Sequence, residues 1–326
     1  MEKRQLGQTD LYVSVVALGC WPMGGAQWGG ADDAESIRTI QRSLELGVNL
    51  FDTAEAYGAG HSEEILGQGL KGRRHEVYIA TKVAPAHLAP EAIRKALEGS
   101  LSRLQTDYID LYFVHWPNFD QPIAETMTTL EALRREGLIR AVGVSNFTLP
   151  ILRKAMEYGT IDALQPPYNM IWRFIEADIL PFCREHGIGV VTYSSLAQGI
   201  LTDTLTLHTQ FPEGDQRPRT VLFQPENYRK CLEMVAQLRP LAKRLGVTMA
   251  QLALRWVLEQ PGVTTALVGA RTPAEIEENV GAVGWDLAPD ALAEAQAHSD
   301  ALFRSLDFYP DMFFAWQTWH KPKEQR

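Results

Sequence analysis

The sequence predicts an α/β fold, a (β/α)8 barrel of the TIM type, and two observations carry that prediction. Short runs of apolar and β-branched residues recur along the chain, and helix-like segments separate most of them. The runs lie at 15–19, 48–52, 77–82, 110–115, 140–146, 161–165, 189–194 and 265–270. About eight strands that alternate with helices are the pattern of a closed parallel barrel.

The beginning of the chain differs from the rest. Residues 4–14, RQLGQTDLYVS, place a Gly-containing turn between two short extended runs, as in a β-hairpin. We therefore expect an N-terminal hairpin that closes one end of the barrel.

Two of the intervening segments carry clear helix signals. Residues 90–104 have Pro90 and Glu91 in the first turn and apolar residues at helical spacing. Residues 123–137 have the same pattern and stop at Gly137, where a left-handed closing residue costs least. Both segments are predicted to be helices between barrel strands.

A long insertion separates the seventh predicted strand from the eighth. Residues 197–263 contain the Gly- and Pro-rich stretch FPEGDQRPRT and helical segments at 225–245 and 248–260. On a barrel, an insertion of this size usually covers the site. Since no internal repeat shorter than the βα unit occurs, we expect residues 1–326 to form a single barrel domain.

Composition and charge narrow the possible functions. The chain is 45% hydrophobic and 22% charged, as in globular proteins, and its net charge of −9 disfavours nucleic acid or anionic membrane as a partner. Three scattered cysteines, Cys20, Cys183 and Cys231, suggest neither a disulfide framework nor a thiolate metal site. The N-terminus lacks the apolar core of a signal peptide, and no stretch has the length of a membrane span. We expect a cytoplasmic protein.

Polar residues stand at the ends of several predicted strands. Asp52, Lys82 and His115 end the second, third and fourth strands, and Asn146 and Gln165 lie at the ends of the fifth and sixth. In a barrel these ends share one face. Taken singly, Asp52 could be a helix cap, Lys82 a solvated strand end and His115 a core histidine. Their joint occurrence at one rim favours an active site.

These residue types suit the reduction of a carbonyl group by hydride transfer. Hydride arriving at the carbon leaves negative charge on oxygen, which needs a proton donor and hydrogen-bond donors. Tyr57 can supply the proton, and the adjacent Lys82 ammonium is expected to lower its pKa from about 10. Asp52 would be the counter-charge of Lys82, and His115 would orient the substrate oxygen. We expect no metal ion in this chemistry.

The same stretches resemble the aldo-keto reductase family, in particular its bacterial NADP(H)-dependent type. The resemblance rests on DTAEAYG at 52–58, ATK at Lys82 and FVHWP at His115. It extends through LGCW, GVSNF, LQPPYN, TYSSLAQGIL and GARTPAEIEEN over almost the whole chain. It implies a (β/α)8 barrel, a nicotinamide dinucleotide extended over the rim, and reversible reduction of aldehydes or ketones to alcohols. The catalytic residues would be Asp52, Tyr57, Lys82 and His115.

The resemblance also implies a set of cofactor contacts. Ser145 and Asn146, helped by Gln165, would bind the carboxamide, and Tyr193 would stack on the nicotinamide ring. Trp21 would be a further cofactor contact. The diphosphate path would be lined by Ser194, Leu196, Gly199 and Leu201. The adenosine end would be lined by Gly269, Arg271, Thr272, Glu275, Glu278 and Asn279.

Two side chains at the adenosine end favour different cofactors. Arg271 can grip a phosphate in bidentate fashion and stack on adenine, which favours NADP(H). Many relatives that prefer the phosphorylated cofactor carry Gln or Arg where Glu275 stands, and a carboxylate repels a phosphate. The sequence therefore predicts NADP(H), with NAD(H) as the alternative.

Aromatic residues are the candidates for the substrate pocket. Three tryptophans follow strand ends, and the C-terminal tail at 300–326 is dense in aromatic residues. The candidate substrate contacts are Trp21, Trp28, Trp116, Tyr309 and Trp316. The tail either walls the pocket or packs against the barrel as a hydrophobic clasp. We expect a small carbonyl or alcohol substrate, and the sequence leaves monomer and homo-oligomer equally open.

Two other functions compete with carbonyl reduction. A lysine at a barrel strand end can form a Schiff base, so Lys82 could be the nucleophile of an aldolase or lyase. The chain could also bind the cofactor as a redox-sensing or structural subunit with little turnover, like barrels that resemble potassium-channel β subunits. The cofactor motifs argue against the aldolase, and the four candidate catalytic residues favour an enzyme over a binding subunit.

Overall fold

The computed structural model describes residues 1–307, 309 and 311–313 of the chain. Within them, eight parallel strands close into a barrel in their order along the chain, which confirms the predicted fold class. The hairpin strands are β1 (Lys3–Gln5) and β2 (Tyr12–Ser14). The barrel strands are β3 (Val16–Gly19), β4 (Leu50–Asp52), β5 (Tyr78–Val83), β6 (Ile109–Val114), β7 (Ile139–Ser145), β8 (Ala163–Gln165), β9 (Gly189–Thr192) and β10 (Val263–Gly269). Pairing of β10 with β3 closes the barrel.

Each barrel strand is followed by one or two helices, as the alternating pattern predicts. They are α1 (Asp33–Glu45), α2 (His61–Gly69), α3 (Pro90–Leu104), α4 (Ile123–Arg135), α5 (Leu149–Met156), α6 (Ile179–His186), α7 (Pro225–Leu245), α8 (Met249–Glu259), α9 (Pro273–Val280) and α10 (Pro289–Phe303). α3 has the predicted bounds, and the turn after α4 closes at Gly137 with φ 78°. No helix in the described part of the chain is long and apolar enough to cross a membrane.

The N-terminal hairpin closes the end of the barrel at which the strands begin. Leu6, Leu11 and Val13 are buried against inward-facing side chains of the barrel strands. Gly7 has φ 56°, and a Cβ there would come within 2.6 Å of the Asp162 carbonyl oxygen, so the hairpin turn needs glycine. The opposite end of the barrel, where the strands terminate, stays available for a site.

The insertion between β9 and β10 has two parts. α7 and α8 form its second part, and α8 packs against β10. The first part reaches the loop that follows β3: the Gln216 backbone N–H donates to the Gln27 carbonyl at 3.1 Å, and the Arg217 guanidinium lies 5.4 Å from the Trp28 ring centroid. The insertion therefore extends over the face at which the barrel strands end, as expected.

Candidate active site

A fully buried lysine lies at the centre of the strand-end cluster. Lys82, near the end of β5, donates from Nζ to Asp52 Oδ1 at 2.5 Å, to the Thr53 carbonyl at 2.7 Å and to Tyr57 Oη at 3.0 Å. Burial lowers the pKa of Lys82, but Asp52 and Tyr57 outweigh burial, so the net pKa is raised. The lysine is thus an ammonium with an acceptor for each of its protons.

The proton donor proposed from the sequence, Tyr57, sits on a tight turn after β4. Gly58 has φ 60°, and a Cβ there would come within 2.4 Å of the Gly24 carbonyl oxygen, so the turn is packed directly against the loop after β3. Burial raises the pKa of Tyr57 and the Lys82 ammonium lowers it, with a net upward shift. This corrects the expectation of a lowered pKa: the ammonium acts in the expected direction, but burial is the larger effect.

His115 follows β6 and faces Tyr57. The two rings meet edge to face, with centroids 5.6 Å apart. Burial and, to a smaller extent, the nearby Lys82 charge hold the pKa of His115 well below its ordinary value. At neutral pH the imidazole is therefore uncharged and can offer an N–H to an oxygen atom beside Tyr57.

A second polar cluster adjoins this group at the ends of β7 and β8. Ser145 Oγ donates to the Gln165 carbonyl at 2.8 Å, Asn146 Nδ2 donates to Ser145 Oγ at 3.1 Å, and Tyr193 Oη donates to Asn146 Oδ1 at 2.7 Å. Gln165 Nε2 donates to Asp52 Oδ2 at 2.8 Å, a contact that the sequence did not predict. The cluster holds an aromatic face and amide groups next to the buried ion pair.

The predicted diphosphate path follows β9 and has an unusual backbone. Ser194, Ala197, Gln198 and Gly199 all have positive φ, between 50° and 100°. Successive turns can direct backbone N–H groups toward an anion. Here the Ala197 and Gly199 N–H groups donate to the Ser194 and Leu196 carbonyls, which leaves the other N–H groups of the segment for that purpose. The path residues are Ser194, Leu196, Gly199 and Leu201. Leu201 is fully buried, and its backbone N–H donates to the Leu196 carbonyl at 3.2 Å.

Two side-chain amides of the insertion lack partners within the described residues, and one of them, Gln198, belongs to the positive-φ turn. They are Gln198 Nε2 and Gln216 Nε2, both buried from solvent and both hydrogen-bond donors. A buried donor without an acceptor costs about 1–3 kcal/mol. The region therefore fits a ligand rich in acceptor oxygens, such as a diphosphate.

The predicted adenosine end lies at the N-termini of α1 and α9. A cavity of about 330 Å³ is lined there by Pro22, Met23, Ala31, Asp32, Glu35, Ser36, Arg271, Thr272 and Glu275. Arg271 Nη2 donates to the Gly30 carbonyl at 2.9 Å, and Glu275 Oε2 accepts the Arg271 backbone N–H at 2.7 Å. The cavity combines one guanidinium with three carboxylates.

The remaining predicted adenosine contacts lie beside this cavity. Gly269 ends β10, and its carbonyl accepts a long bond of 3.5 Å from Asn279 Nδ2 on α9. Thr272 caps α9 by accepting the Glu275 N–H, and Glu278 is exposed on the same helix. The structure thus brings Arg271, Thr272 and Glu275 to the cavity and leaves Gly269, Glu278 and Asn279 outside its lining.

Aromatic side chains surround the tyrosine. Trp21 stacks on Tyr57 with centroids 5.7 Å apart and an interplanar angle of 21°. Trp28 meets Trp21 edge to face at 5.3 Å, and Trp21 Nε1 donates to Gln27 Oε1. Two of the predicted substrate tryptophans therefore lie at the mouth of the site.

The described part of the tail reaches the same place. Phe313 lies 5.8 Å from Trp21, 6.5 Å from Trp116 and 6.2 Å from Tyr193, measured between ring centroids. Tyr309 packs against the core, and Trp316 lies outside the described residues. Sequence reasoning counted Phe313 among the aromatic residues of the tail but did not select it as a substrate contact.

Cys20 directly follows β3, at the end of the barrel that holds the candidate site. Cys20 is buried, and burial raises the pKa of its thiol, which keeps it protonated. Among the residues that the structure describes, no group of three or more His, Cys, Asp or Glu could hold a metal ion.

Comparison with known proteins identifies the family. The model of the "Aldo/keto reductase family" matches residues 15–300. The chain belongs to the aldo/keto reductase family. "Aldo-keto reductase YhdN" of Bacillus subtilis is 41% identical over an alignment of 298 positions that covers 88% of this chain and 90% of the relative. The "NADH-specific methylglyoxal reductase" of Escherichia coli is 38% identical over an alignment of 328 positions that covers 93% of this chain and 100% of the relative.

Solved structures of aldo/keto reductases share this architecture. The glycerol dehydrogenase AKR11B4 from Gluconobacter oxydans has a TM-score of 0.84 and 37% identity, over 95% of this chain and 98% of its own. An aldo/keto reductase from Klebsiella pneumoniae, in complex with NADP and acetate, has a TM-score of 0.75 and 31% identity, over 95% and 98%. Family membership makes this aldo/keto reductase an oxidoreductase that acts on carbonyl or alcohol groups. The roles of individual residues, the single domain and the cytoplasmic location stay predictions.

Proposed function

We propose that this aldo/keto reductase reversibly reduces small aldehydes or ketones to alcohols with a nicotinamide dinucleotide, and that Tyr57 is the general acid. One observation carries the proposal: the buried Lys82 ammonium bonds both Asp52, at 2.5 Å, and the Tyr57 oxygen, at 3.0 Å. A nicotinamide dinucleotide bound at this rim supplies the hydride. The remaining chemistry belongs to the side chains of the chain itself.

Tyr57 is arranged to give up a proton to a carbonyl oxygen. Because Lys82 donates to the phenolic oxygen, the hydroxyl proton of Tyr57 is free to point at a substrate. Its raised pKa keeps the phenol protonated before reaction, and the adjacent ammonium stabilises the phenolate left afterwards. In alcohol oxidation the phenolate takes the proton back.

His115 would place the substrate oxygen. Its depressed pKa keeps the imidazole neutral to well below pH 6.5, so it can donate an N–H without adding charge beside Lys82. The Trp21 and Trp28 rings would exclude water from the same space. The substrate oxygen, which becomes negatively charged when hydride adds to the carbon, would thus have two hydrogen-bond donors, Tyr57 and His115.

Three groups of residues would hold the cofactor. Ser145 and Asn146 would bind the carboxamide, the positive-φ turn at 194–199 would take the diphosphate, and Arg271 would meet the adenosine end. The Klebsiella structure contains NADP, whereas the E. coli relative is NADH-specific. We propose NADP(H) on account of Arg271, with NAD(H) as the alternative on account of Glu275.

Substitution of Arg271 by alanine tests this cofactor assignment. We expect the dissociation constant for NADPH to rise by about tenfold or more, a loss of about 1.4 kcal/mol, because a charge-assisted bond to the phosphate is lost. NADH should be affected much less. Dissociation constants are measured by titrating protein fluorescence with each cofactor, with Arg94→Ala, which removes a surface partner of Glu136, as the control. Equal losses for both cofactors would indicate stacking on adenine, and a wild type that prefers NADH would mean that Glu275 outweighs Arg271.

The C-terminal tail is predicted to shape selectivity. Phe313 lies against Trp21 and Trp116, which supports a role for this part of the tail at the mouth of the site. A chain truncated after Leu306 should still fold and bind cofactor but discriminate differently among aldehydes, chiefly through KM for bulky or aromatic ones. The point variant Phe313→Ala should act in the same direction. The measurement is kcat/KM across small and bulky aldehydes. Identical selectivity would place the tail outside the pocket, and loss of folding would make it a clasp.

The proposed function is tested by following the absorbance of the reduced cofactor while aldehydes and ketones are added. Consumption of NADPH or NADH by at least one carbonyl supports the proposal, and cofactor binding without turnover would favour the binding-subunit alternative. The Schiff-base alternative needs a neutral lysine, whereas Lys82 is a hydrogen-bonded ammonium with a raised pKa. Borohydride trapping of a carbonyl compound on Lys82 would nevertheless establish an aldolase.

A further inference from the structure

The side chain of Gln165 contacts the buried ion pair of the candidate active site. Its Nε2 donates to Asp52 Oδ2 at 2.8 Å, while the other carboxylate oxygen, Oδ1, receives Lys82 at 2.5 Å. Gln165 and Asp52 are 2% and 3% exposed, so water does not replace either bond. Because a carboxylate only accepts hydrogen bonds, the amide nitrogen must face Asp52, which settles the orientation of the Gln165 amide.

The backbone of Gln165 contacts the second polar cluster. Its carbonyl accepts Ser145 Oγ at 2.8 Å and the Asn146 backbone N–H at 3.3 Å. One residue therefore connects the ion pair beneath Tyr57 to the cluster that ends β7.

We propose that Gln165 is a positioning residue that keeps the Asp52 carboxylate turned toward Lys82 and thereby holds the ammonium against Tyr57. This inference rests on the proposed function, in which Tyr57 exchanges the proton. Under this proposal Gln165 has a second role, in addition to the predicted contact with the cofactor carboxamide.

The hydrogen bond from Gln165 to Asp52 affects the protonation states of Asp52 and Lys82. Burial raises the pKa of Asp52, whereas Lys82 and the Gln165 hydrogen bond lower it. Without that bond, transfer of a proton from Lys82 Nζ to Asp52 becomes easier and leaves a neutral acid and a neutral amine. A neutral amine at 3.0 Å does not stabilise the Tyr57 phenolate, so the pKa of Tyr57 rises.

Gln165→Met tests the proposal, since methionine has a similar length and no donor. In alcohol oxidation, which needs the phenolate, the basic limb of the kcat profile should move upward by about half to one pH unit, and kcat should fall about tenfold. The pKa of Tyr57 can also be read without turnover, from a pH titration of the tyrosinate absorbance after subtraction of the Tyr57→Phe titration. It should rise as well. The control is Gln224→Met, whose amide donates to the Pro218 and Thr220 carbonyls, and it should shift neither reading.

The outcomes separate this proposal from its alternatives. A raised cofactor dissociation constant with both pH readings unmoved would reduce Gln165 to a cofactor contact and overturn the proposal, as would no change at all. If Gln165→Met fails to fold, Gln165→Asn keeps the amide on a shorter side chain and should show the same upward shift; its absence also overturns the proposal. If the wild type reduces no carbonyl, the proposed function fails, while the tyrosinate titration still decides the role of Gln165.

Discussion

Replacing Tyr57 with phenylalanine is expected to lower the rate of carbonyl reduction by roughly a hundredfold or more, the loss typical of a general acid. The change removes one hydroxyl group, which is the acceptor of the Lys82 bond at 3.0 Å, and almost no volume. The stack of Trp21 on the ring should survive, so the pocket should keep its shape. The measurement is kcat for reduction of an aldehyde by NADPH or NADH.

Two controls make the Tyr57 result interpretable. The cofactor dissociation constant should stay near that of the wild type, because the Tyr57 hydroxyl is not one of the proposed cofactor contacts. Tyr12→Phe, on the hairpin at the other end of the barrel and half exposed, should leave kcat unchanged. A Tyr57→Phe enzyme within about threefold of the wild-type rate would show that another group donates the proton.

Substitution of Lys82 by methionine should abolish most turnover, by roughly a hundredfold or more, for an electrostatic reason. The ammonium is the group that lowers the pKa of Tyr57 against the larger effect of burial, so its loss lets that pKa rise further. Alcohol oxidation requires the phenolate, and its rate should therefore reach its plateau at a higher pH in the variant. Asp52, left buried without its counter-charge, should take up a proton.

The Lys82 prediction is checked by pH profiles of kcat in the direction of alcohol oxidation. Lys154→Met removes an exposed lysine that pairs with Glu157 and should leave the profile in place. A Lys82→Met enzyme with measurable activity and an unmoved basic limb would contradict an electrostatic role for this ammonium. Loss of the limb altogether, with slow activity independent of pH, would contradict it as well.

The barrel was predictable because its signal is local. Each buried strand is a short apolar run, and the helix at 90–104 carries its own start signal, so the alternation could be read along the chain. The four catalytic candidates were also predictable, since parallel strands end at one face. The repeated local pattern placed Asp52, Lys82 and His115 at one face, and Tyr57 was added because it follows Asp52 closely and can donate a proton.

Other features depend on distance and burial that no local pattern contains. The Gln165–Asp52 bond joins residues 113 positions apart. The sequence pattern shows that both are polar residues at strand ends, but it does not show that they bond each other. The net pKa of Tyr57 went against the expectation because burial, which raises it, is a property of the packed site. Phe313 lies in a tail whose aromatic content indicated packing without indicating a place.

The central claim, that hydride passes from the reduced cofactor to a carbonyl carbon at this site, is tested most directly by isotope transfer. NADPH or NADH carrying deuterium at both C4 positions of the nicotinamide is incubated with an aldehyde and the wild-type protein, and the alcohol is examined by mass spectrometry. We predict one deuterium on the carbinol carbon, and a product yield that falls with Tyr57→Phe in proportion to its kcat. An alcohol without deuterium, or an intact cofactor beside a consumed aldehyde, would contradict the account.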